Sequence, residues 1–272
     1  MIPAASVVTK KSLSEFMILK KSLENYHDVM WYVSTDEYAH TILKEIENVK
    51  SLLLVKTDEC SHGADDPVKN RLFLELVMTK FDALQSAIEE NGWGLFIDSD
   101  IFFTGPIEDR VLALMRDPSV DAVLSPHMTN NLILETQVGH FNVGFFSMRS
   151  LSYLKNHAQM SWRHKELGLY YEQQPLQFSS YPHITVNLPI NYNIGWWRFN
   201  EPHTRGRLDL LGHDGKQITF GGLPAVCFHV HTLKSLDYTN YGQFLVDRLK
   251  SLMRQCDNRS YSEILSMMEG GQ

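Results

Sequence analysis

The sequence has few cysteines, no long apolar run and no excess of basic residues. Its three cysteines, Cys60, Cys227 and Cys256, are far apart and lack metal-ligand spacing. This argues against a disulfide framework or a zinc site and fits a reducing compartment. No apolar run is long enough to span a membrane, and residues 1–8 lack the basic start and long apolar run of a signal peptide. We therefore expect a cytoplasmic protein with no integral membrane segment.

The net charge of the chain makes some partners less suitable than others. A net charge of −7 argues against non-specific binding to nucleic acid or anionic membranes, which requires basic patches. An acidic protein that binds a phosphorylated ligand needs a metal ion or local cations to offset its own charge. The aromatic content of 11% suits sugar-binding faces and a dense core equally well.

The order of apolar patterns predicts the fold class. Apolar runs at residues 6–9, 29–33 and 51–55 predict strands, and the stretches between them predict helices, the first with capping-box spacing from Ser12 to Glu15. Strand, helix, strand, helix, strand indicates a parallel sheet with crossover helices. We predict an α/β fold with a mixed central sheet flanked by helices, in a single domain over residues 1–272.

Two stretches of the second half are harder to assign. Leu132–Val138 fits an antiparallel strand or a loop that crosses the site, and the Gly- and Asn-rich stretch around Trp196 and Trp197 fits a loop. Further strands and helices are predicted with less ambiguity: strands at 122–124, 143–148, 184–186 and 226–228, and helices at 70–90, 107–116, 151–167, 170–178, 241–254 and 261–268.

The first cluster with chemical potential is Asp98-Ser99-Asp100, which follows the apolar run Leu95–Ile97. Ligands bind at the carboxyl ends of strands in open α/β sheets, and residues i and i+2 of a strand share a face. Two neighbouring carboxylates repel unless a cation lies between them, and Mg²⁺ or Mn²⁺ is often held by carboxylates and substrate phosphates. For an isolated D-x-D, a cap and a solvated carboxylate remain the simpler interpretation.

Three more clusters follow along the chain. Phe141-Asn142-Val143-Gly144 indicates a tight backbone beside an amide, or an ordinary turn into a strand. Glu172-Gln173 opens a predicted helix, where polar residues often serve only as caps. His229 and His231 would share a strand face, and Lys234 follows. Neutral imidazole is a common metal ligand, although a single histidine on a strand is usually structural.

The order of these clusters resembles that of the GT-A fold glycosyltransferases, the Rossmann-like nucleotide-diphospho-sugar transferases. The resemblance is to the metal-dependent glycogenin and bacterial galactosyltransferase type, and it runs from about Val7 to Lys234. It implies a nucleotide-binding half in residues 1–100, an acceptor and catalytic half in 101–240 and C-terminal helices in 241–272. It also implies transfer of a sugar from a nucleoside-diphosphate sugar to an acceptor hydroxyl, with retention of configuration.

The resemblance assigns a role to each matching residue. It implies that Mn²⁺ or Mg²⁺ is held by Asp98, Asp100 and His229, with His231 as the second choice for the histidine ligand. Gln173, Glu172 and Asn142 would lie at the reacting sugar. The donor, a UDP-sugar in the first place and a GDP-sugar in the second, would be bound by Thr9, Asp36, Lys80, Asp98, Ser99, Asp100, Gly144, His231 and Lys234.

The sequence departs from the family pattern at two points, and the acceptor site is assigned by residue type. Glu172 replaces the usual aspartate, and the histidine segment lacks the usual Gly- and Lys-Pro-Trp-containing continuation. The carbohydrate or other hydroxyl acceptor is assigned to aromatic faces near the end of the chain, at Tyr192, Trp196, Trp197 and Arg198, with a packed core tryptophan as the equal alternative.

Other classes of protein remain open. A haloacid-dehalogenase-like phosphatase would use Asp98 as its nucleophile and Asp100 as acid-base, but its loop normally starts the domain, and no paired-aspartate motif follows here. A sugar-nucleotide-binding protein without catalytic activity would share the fold. A sugar-1-phosphate nucleotidyltransferase usually has a Gly-rich basic loop after the first strand, which Lys10-Lys11-Ser12 is not.

Overall fold

A computed structural model describes residues 1–54, 72, 75–129, 132–164, 172–199, 208–230, 232 and 240–270. The first part of the chain alternates strands and helices as the sequence predicts. Its elements are β1 (Ile2–Val8), α1 (Leu13–Glu24), β2 (Val29–Thr35), α2 (Glu37–Leu43), β3 (Val49–Leu53), α3 (Lys80–Asn91) and β4 (Gly94–Ile97).

The second part adds shorter strands and the remaining helices. They are β5 (Ile101–Phe103), α4 (Asp109–Arg116), β6 (Ala122–Pro126), α5 (Leu132–Val138), β7 (Phe141–Met148), α6 (Leu151–His164), α7 (Gln173–Ser179), β8 (Thr185–Asn187), β9 (Ile194–Gly195), a 3-10 helix (Trp196–Phe199), β10 (Leu211–His213), β11 (Ile218–Phe220), β12 (Leu223–Pro224), β13 (Cys227–His229), α8 (Asn240–Gln255) and α9 (Arg259–Gly270).

The central sheet has seven strands in the order β3-β2-β1-β4-β7-β6-β8. Strands β1 to β4 are mutually parallel, β7 is antiparallel to both β4 and β6, and β8 is parallel to β6. The carboxyl ends of β1, β2, β4 and β6 and the amino end of β7 therefore lie at one edge of the sheet. This mixed α/β architecture confirms the predicted fold class.

Strand β4 is buried on both of its faces. Leu95 and Ile97 pack in a cluster with Phe16 of α1, whereas Phe96 packs in a second cluster with Leu84 of α3. Successive strand residues point to opposite faces, so helices cover both sides, and the strand reads as a continuous apolar run rather than an alternating one. Burial of each such side chain contributes roughly 1.5–3 kcal/mol, which holds the end of β4 in place.

A separate three-stranded sheet has the order β5-β13-β9. His229 of β13 pairs with Ile101 of β5 in an antiparallel ladder and with Gly195 of β9 in a parallel one. The sheet thus brings together chain segments that lie far apart in the sequence. It joins the residue after Asp100, the His229 segment and the loop that ends at Asn193.

Two segment predictions were wrong. Leu132–Val138 is a helix rather than a strand or loop, and it ends at Gly139, which takes φ +94° and whose N–H donates to the Glu135 carbonyl at 2.9 Å as a helix C-cap. Trp196 and Trp197 lie in a 3-10 helix rather than a loop. The start of α1 is as predicted, but the Ser12 hydroxyl accepts the Thr9 N–H at 2.9 Å instead of capping the helix.

No helix within the described residues is long and apolar enough to cross a membrane.

Candidate active site

The two aspartates lie in a turn at the carboxyl edge of the central sheet. Asp98 follows β4, and its N–H donates to the Gly144 carbonyl of β7 at 2.7 Å. The Ile101 N–H donates back to the Asp98 carbonyl at 3.1 Å, which closes the turn before β5. The sequence argument placed both carboxylates on one face of a strand. The structure brings them together through this turn instead.

Strand β13 carries His229 to the same point. Its Nε2 lies 3.2 Å from Asp100 Oδ1 and 3.8 Å from Asp98 Oδ2. One ligand atom from each of the three residues lies within 4.8 Å of the other two. Two carboxylate oxygens and one imidazole nitrogen suit a hard or borderline divalent ion such as Mg²⁺ or Mn²⁺. The donor set therefore fits the ion that the resemblance implies.

The electrostatics of the cluster also fit a cation. Burial raises the pKa of Asp98, and the nearby positive charges of Lys80 and His229 oppose that rise. The repulsion from Asp100 raises the pKa further. The Asp98 side chain still has 33% of its surface exposed, so a ligand can reach it. A divalent cation would relieve the repulsion between the two carboxylates.

Lys80, which is buried, and Glu172, which is partly buried, form an ion pair beside the aspartates. Lys80 opens α3, its ammonium lies 5.0 Å from the Phe96 ring centre, and its Nζ is 3.6 Å from Glu172 Oε1. Glu172 is the N-cap residue of α7, but its side chain makes no capping hydrogen bond. The Glu172 side chain therefore does not cap the helix, and Lys80 is 3% exposed rather than solvated.

We predict that Lys80→Met lowers the free energy of unfolding by roughly 1–3 kcal/mol at neutral pH, because the variant leaves the partly buried Glu172 carboxylate without its cation. Urea unfolding measures this loss. The double variant with Glu172→Gln should recover part of it. The control is Lys21→Met, whose partner Glu263 lies 3.0 Å away on the surface and whose loss should cost under about 1 kcal/mol. If the losses in free energy of unfolding caused by Lys80→Met and Glu172→Gln simply added in the double variant, the two side chains would not interact, and the prediction would be wrong.

Asn142 and Gln173 meet directly. The Asn142 Nδ2 donates to Gln173 Oε1 at 3.1 Å, which joins β7 to the first residue of α7. The Asn142 Oδ1 accepts the Gly144 N–H at 2.9 Å. These contacts show that residues from two of the sequence clusters share one hydrogen-bonded group at the edge of the sheet.

Sequence reasoning missed two residues of this group, His127 and Asn193. His127 follows β6, and its Nε2 is 3.3 Å from Asn142 Nδ2; burial lowers its pKa to about 4, so the ring is neutral at pH 7. The Asn193 Nδ2 donates to Asn142 Oδ1 at 2.9 Å. The carboxyl end of the predicted strand at 122–124 was a signal for His127, whereas no local pattern identifies Asn193.

Three predicted donor-binding residues lie at the expected edge. Thr9 and Asp36 directly follow β1 and β2, and Ser99 lies in the turn between the two aspartates. The Asp36 carboxylate accepts the N–H groups of Ala39 and Lys10, each at 2.8 Å, so it caps α2 and ties β2 to the end of β1. Its role as a donor ligand stays a prediction. His231 and Lys234 lie outside the described residues.

The four acceptor candidates divide into two pairs. Tyr192 and Arg198 are 0% and 2% exposed. The Tyr192 hydroxyl accepts the Glu108 N–H at 3.0 Å, and Arg198 donates to backbone carbonyls of Ile190 and Tyr192. Neither side chain presents a face to a sugar, because both pack in the core, and the acceptor assignment of Tyr192 and Arg198 stays a prediction.

Trp196 and Trp197 are partly exposed. The Trp197 ring lies 5.1 Å from the His229 ring and donates its N–H to the His127 carbonyl at 3.0 Å. It therefore forms one wall of the site, and the acceptor assignment stays a prediction for the two tryptophans.

No family model matches the sequence, and no curated protein matches it. Solved structures do match. A galactosyltransferase, LgtC, in complex with donor and acceptor sugar analogues, is 12% identical with a TM-score of 0.55, over 92% of this chain and 96% of that one. The apo form of the glycosyltransferase GlyE of Streptococcus pneumoniae TIGR4 is 12% identical with a TM-score of 0.60, over 99% of this chain and 63% of that one.

A third neighbour is the apo form of mouse xyloside xylosyltransferase 1, at 11% identity and a TM-score of 0.52, over 84% of this chain and 97% of that one. The structural neighbours are GT-A glycosyltransferases. At this level of identity the similarity establishes the fold: the chain has the GT-A fold, as the sequence motifs predicted.

Proposed function

We propose that this chain is a glycosyltransferase that moves a sugar from a nucleoside-diphosphate sugar to an acceptor hydroxyl and depends on a divalent metal ion. The observation that carries the proposal is the convergence of Asp98, Asp100 and His229 within 4.8 Å at the carboxyl edge of a GT-A sheet. Ligands of open α/β sheets bind at this edge. The phosphatase alternative loses its basis because the fold belongs to a different class.

The chemistry of the site matches the demands of the reaction. The charge that grows on the leaving diphosphate must be neutralised for the glycosidic bond to break. A bound Mn²⁺ or Mg²⁺ supplies that neutralisation as a Lewis acid. The chain itself contributes the three ligands, and Lys80 adds a buried positive charge next to Asp98. Both features would favour the bound diphosphate in an otherwise acidic protein.

We assign the reacting sugar to the region of Glu172 and Gln173. Glu172 is held by Lys80, and its carbonyl accepts a hydrogen bond from the buried His157 at 2.7 Å. Gln173 is held by Asn142. We propose Gln173 as the residue next to the sugar carbon; a glutamine also belongs to the active site of LgtC, as a structure of its glutamine-to-glutamate variant records. Retention of configuration remains part of this proposal.

The test is a thermal-shift screen of UDP and GDP, each with and without Mn²⁺. We expect one nucleotide to stabilise the protein only when Mn²⁺ is present. At a hundredfold excess over Kd the gain is about 2.7 kcal/mol, which raises Tm by several degrees. The proposal would be overturned if the protein hydrolysed a generic phosphate ester at a rate that neither nucleotides nor Mn²⁺ changed.

A turnover assay with sugar nucleotides, run beside the thermal-shift screen, separates an enzyme from a binding protein. Metal-dependent nucleotide binding with release of UDP or GDP from the matching sugar nucleotides supports a transferase, whose slow transfer to water serves as a readout when the acceptor is unidentified. Binding without release from any common sugar nucleotide favours the non-catalytic alternative.

A further inference from the structure

The buried amide of Asn193 lies between the His229 ligand and the Asn142–Gln173 pair. Its side chain is 0% exposed, and its Oδ1 is 3.1 Å from His229 Nδ1. Its Nδ2 donates to Asn142 Oδ1 and to Ser125 Oγ, each at 2.9 Å. One amide therefore contacts both the predicted metal ligand and the group that holds the predicted catalytic glutamine.

A backbone group fixes the direction of the hydrogen bonds that join Asn142, Asn193 and His229. The Gly144 N–H can only donate, so the Asn142 atom that receives it at 2.9 Å is the oxygen. The Asn193 atom that faces this oxygen must then be the donor Nδ2. Its Oδ1 consequently faces His229, and the His229 Nδ1 must carry the proton that it donates. In a neutral ring this leaves the Nε2 lone pair directed at Asp98 and Asp100.

The other end of the chain of contacts gives the same answer. The Gly139 carbonyl can only accept, so His127 Nδ1 donates to it, at 2.7 Å. His127 Nε2 is then an acceptor and receives Asn142 Nδ2. This again makes the other Asn142 side-chain atom its oxygen. Two backbone groups at opposite ends thus require one arrangement of the amides between them.

The backbone at Asn193 supports a specific role. Asn193 takes φ +46°, a left-handed conformation that is uncommon outside glycine and least costly for asparagine and aspartate. Strand β9 begins at the next residue and pairs in register with β13, Ile194 with Phe228 and Gly195 with His229. A residue held in a sparsely populated conformation beside a functional group indicates a local constraint.

We propose that Asn193 is a positioning residue that holds His229 as the Nδ1–H tautomer, so that Nε2 presents its lone pair to the metal, while the same amide fixes Asn142 and through it Gln173. Metal-ligating histidines commonly donate their second nitrogen to a partner that sets tautomer and ring orientation, and loss of that partner costs about 10–100-fold in metal affinity or activity. The inference rests on the proposed metal-dependent function of the site.

The test uses two substitutions that the left-handed backbone tolerates. Asn193→Gly removes the amide. Asn193→Asp keeps an acceptor for His229 Nδ1 but cannot donate to Asn142. The readout is the Mn²⁺ concentration that gives half-maximal binding of UDP or GDP, whichever the wild type binds, by titration calorimetry. We expect this Mn²⁺ concentration to rise at least tenfold for Asn193→Gly and to change less than about threefold for Asn193→Asp. Turnover of the sugar nucleotide should still fall in Asn193→Asp, because its side chain cannot donate to Asn142.

Asn191→Ala is the matched control. Asn191 is 3% exposed in the same loop, and its amide donates to the Pro224 carbonyl at 2.8 Å, away from His229. We expect lower thermal stability and unchanged Mn²⁺ dependence. Wild-type Mn²⁺ dependence in Asn193→Gly, or an equal increase in Asn191→Ala, would overturn the inference. If Asn193→Gly does not fold, the result for Asn193→Asp decides. A tenfold increase in its half-maximal Mn²⁺ concentration would overturn the inference. A wild type without Mn²⁺-dependent binding overturns the proposed function instead.

Discussion

Asp100→Ala is expected to abolish Mn²⁺-dependent nucleotide binding while the protein stays folded. The Asp100 side chain is 12% exposed, and its Oδ1 is 3.2 Å from His229 Nε2. The variant removes one of three ligand groups, so affinity should fall by more than the roughly 100-fold that loss of an outer partner can cause. Calorimetric titration of the nucleotide at fixed Mn²⁺ measures the loss.

The fold should survive because the backbone contact of Asp100 does not depend on its carboxylate. Its carbonyl accepts the Val230 N–H at 3.1 Å, and alanine keeps that bond. Removal of one of two neighbouring carboxylates also relieves repulsion in the metal-free protein. Asp247→Ala, on the exposed face of α8, is the control for loss of one negative charge. Undiminished Mn²⁺-dependent binding in Asp100→Ala would rule out the proposed metal site.

The strands and helices that carry the site were predictable from the sequence because they depend on local patterns. Alternation of strands and helices gave the parallel half of the sheet, and the apolar run before Asp98 marked a buried strand. The clusters at Asn142, Gln173 and His229 were identified as a set through their order along the chain. The structure places Asn142 at the carboxyl edge of the sheet because β7 runs antiparallel between β4 and β6.

The connections between the clusters depend on long-range pairing that no local pattern contains. Asn193 reaches His229 only because β9 pairs with β13. Tyr192 and Trp197 also show that a local pattern does not predict where a side chain lies. Both are aromatic residues in one short stretch, yet Tyr192 packs in the core and Trp197 lines the site. Residue type alone does not separate these outcomes, because an aromatic face suits a sugar ring and a protein interior equally.

At Gly144 the backbone of β7 lies close to the proposed metal ligands. A Cβ atom added there would lie 2.6 Å from Asp98 Oδ2 and 2.8 Å from His229 Nδ1. These distances are too short for non-bonded atoms, so at least one of the two side chains would have to move. Gly144 has no left-handed backbone angle, so the strand itself can accept alanine. The conflict is therefore steric and confined to the site.

We expect Gly144→Ala to weaken Mn²⁺-dependent nucleotide binding by about 100-fold, because the displaced His229 or Asp98 no longer converges with Asp100. Overpacking should lower the free energy of unfolding by only about 1–3 kcal/mol, so urea unfolding and calorimetry should show a larger effect on binding than on stability. Gly212→Ala in β10 is the matched control: its Cβ would meet Thr219 Oγ1 at 3.4 Å, an ordinary contact, and neither quantity should change. Normal binding by Gly144→Ala would mean that His229 and Asp98 can separate without loss of the ion, and the three-ligand arrangement would then be wrong.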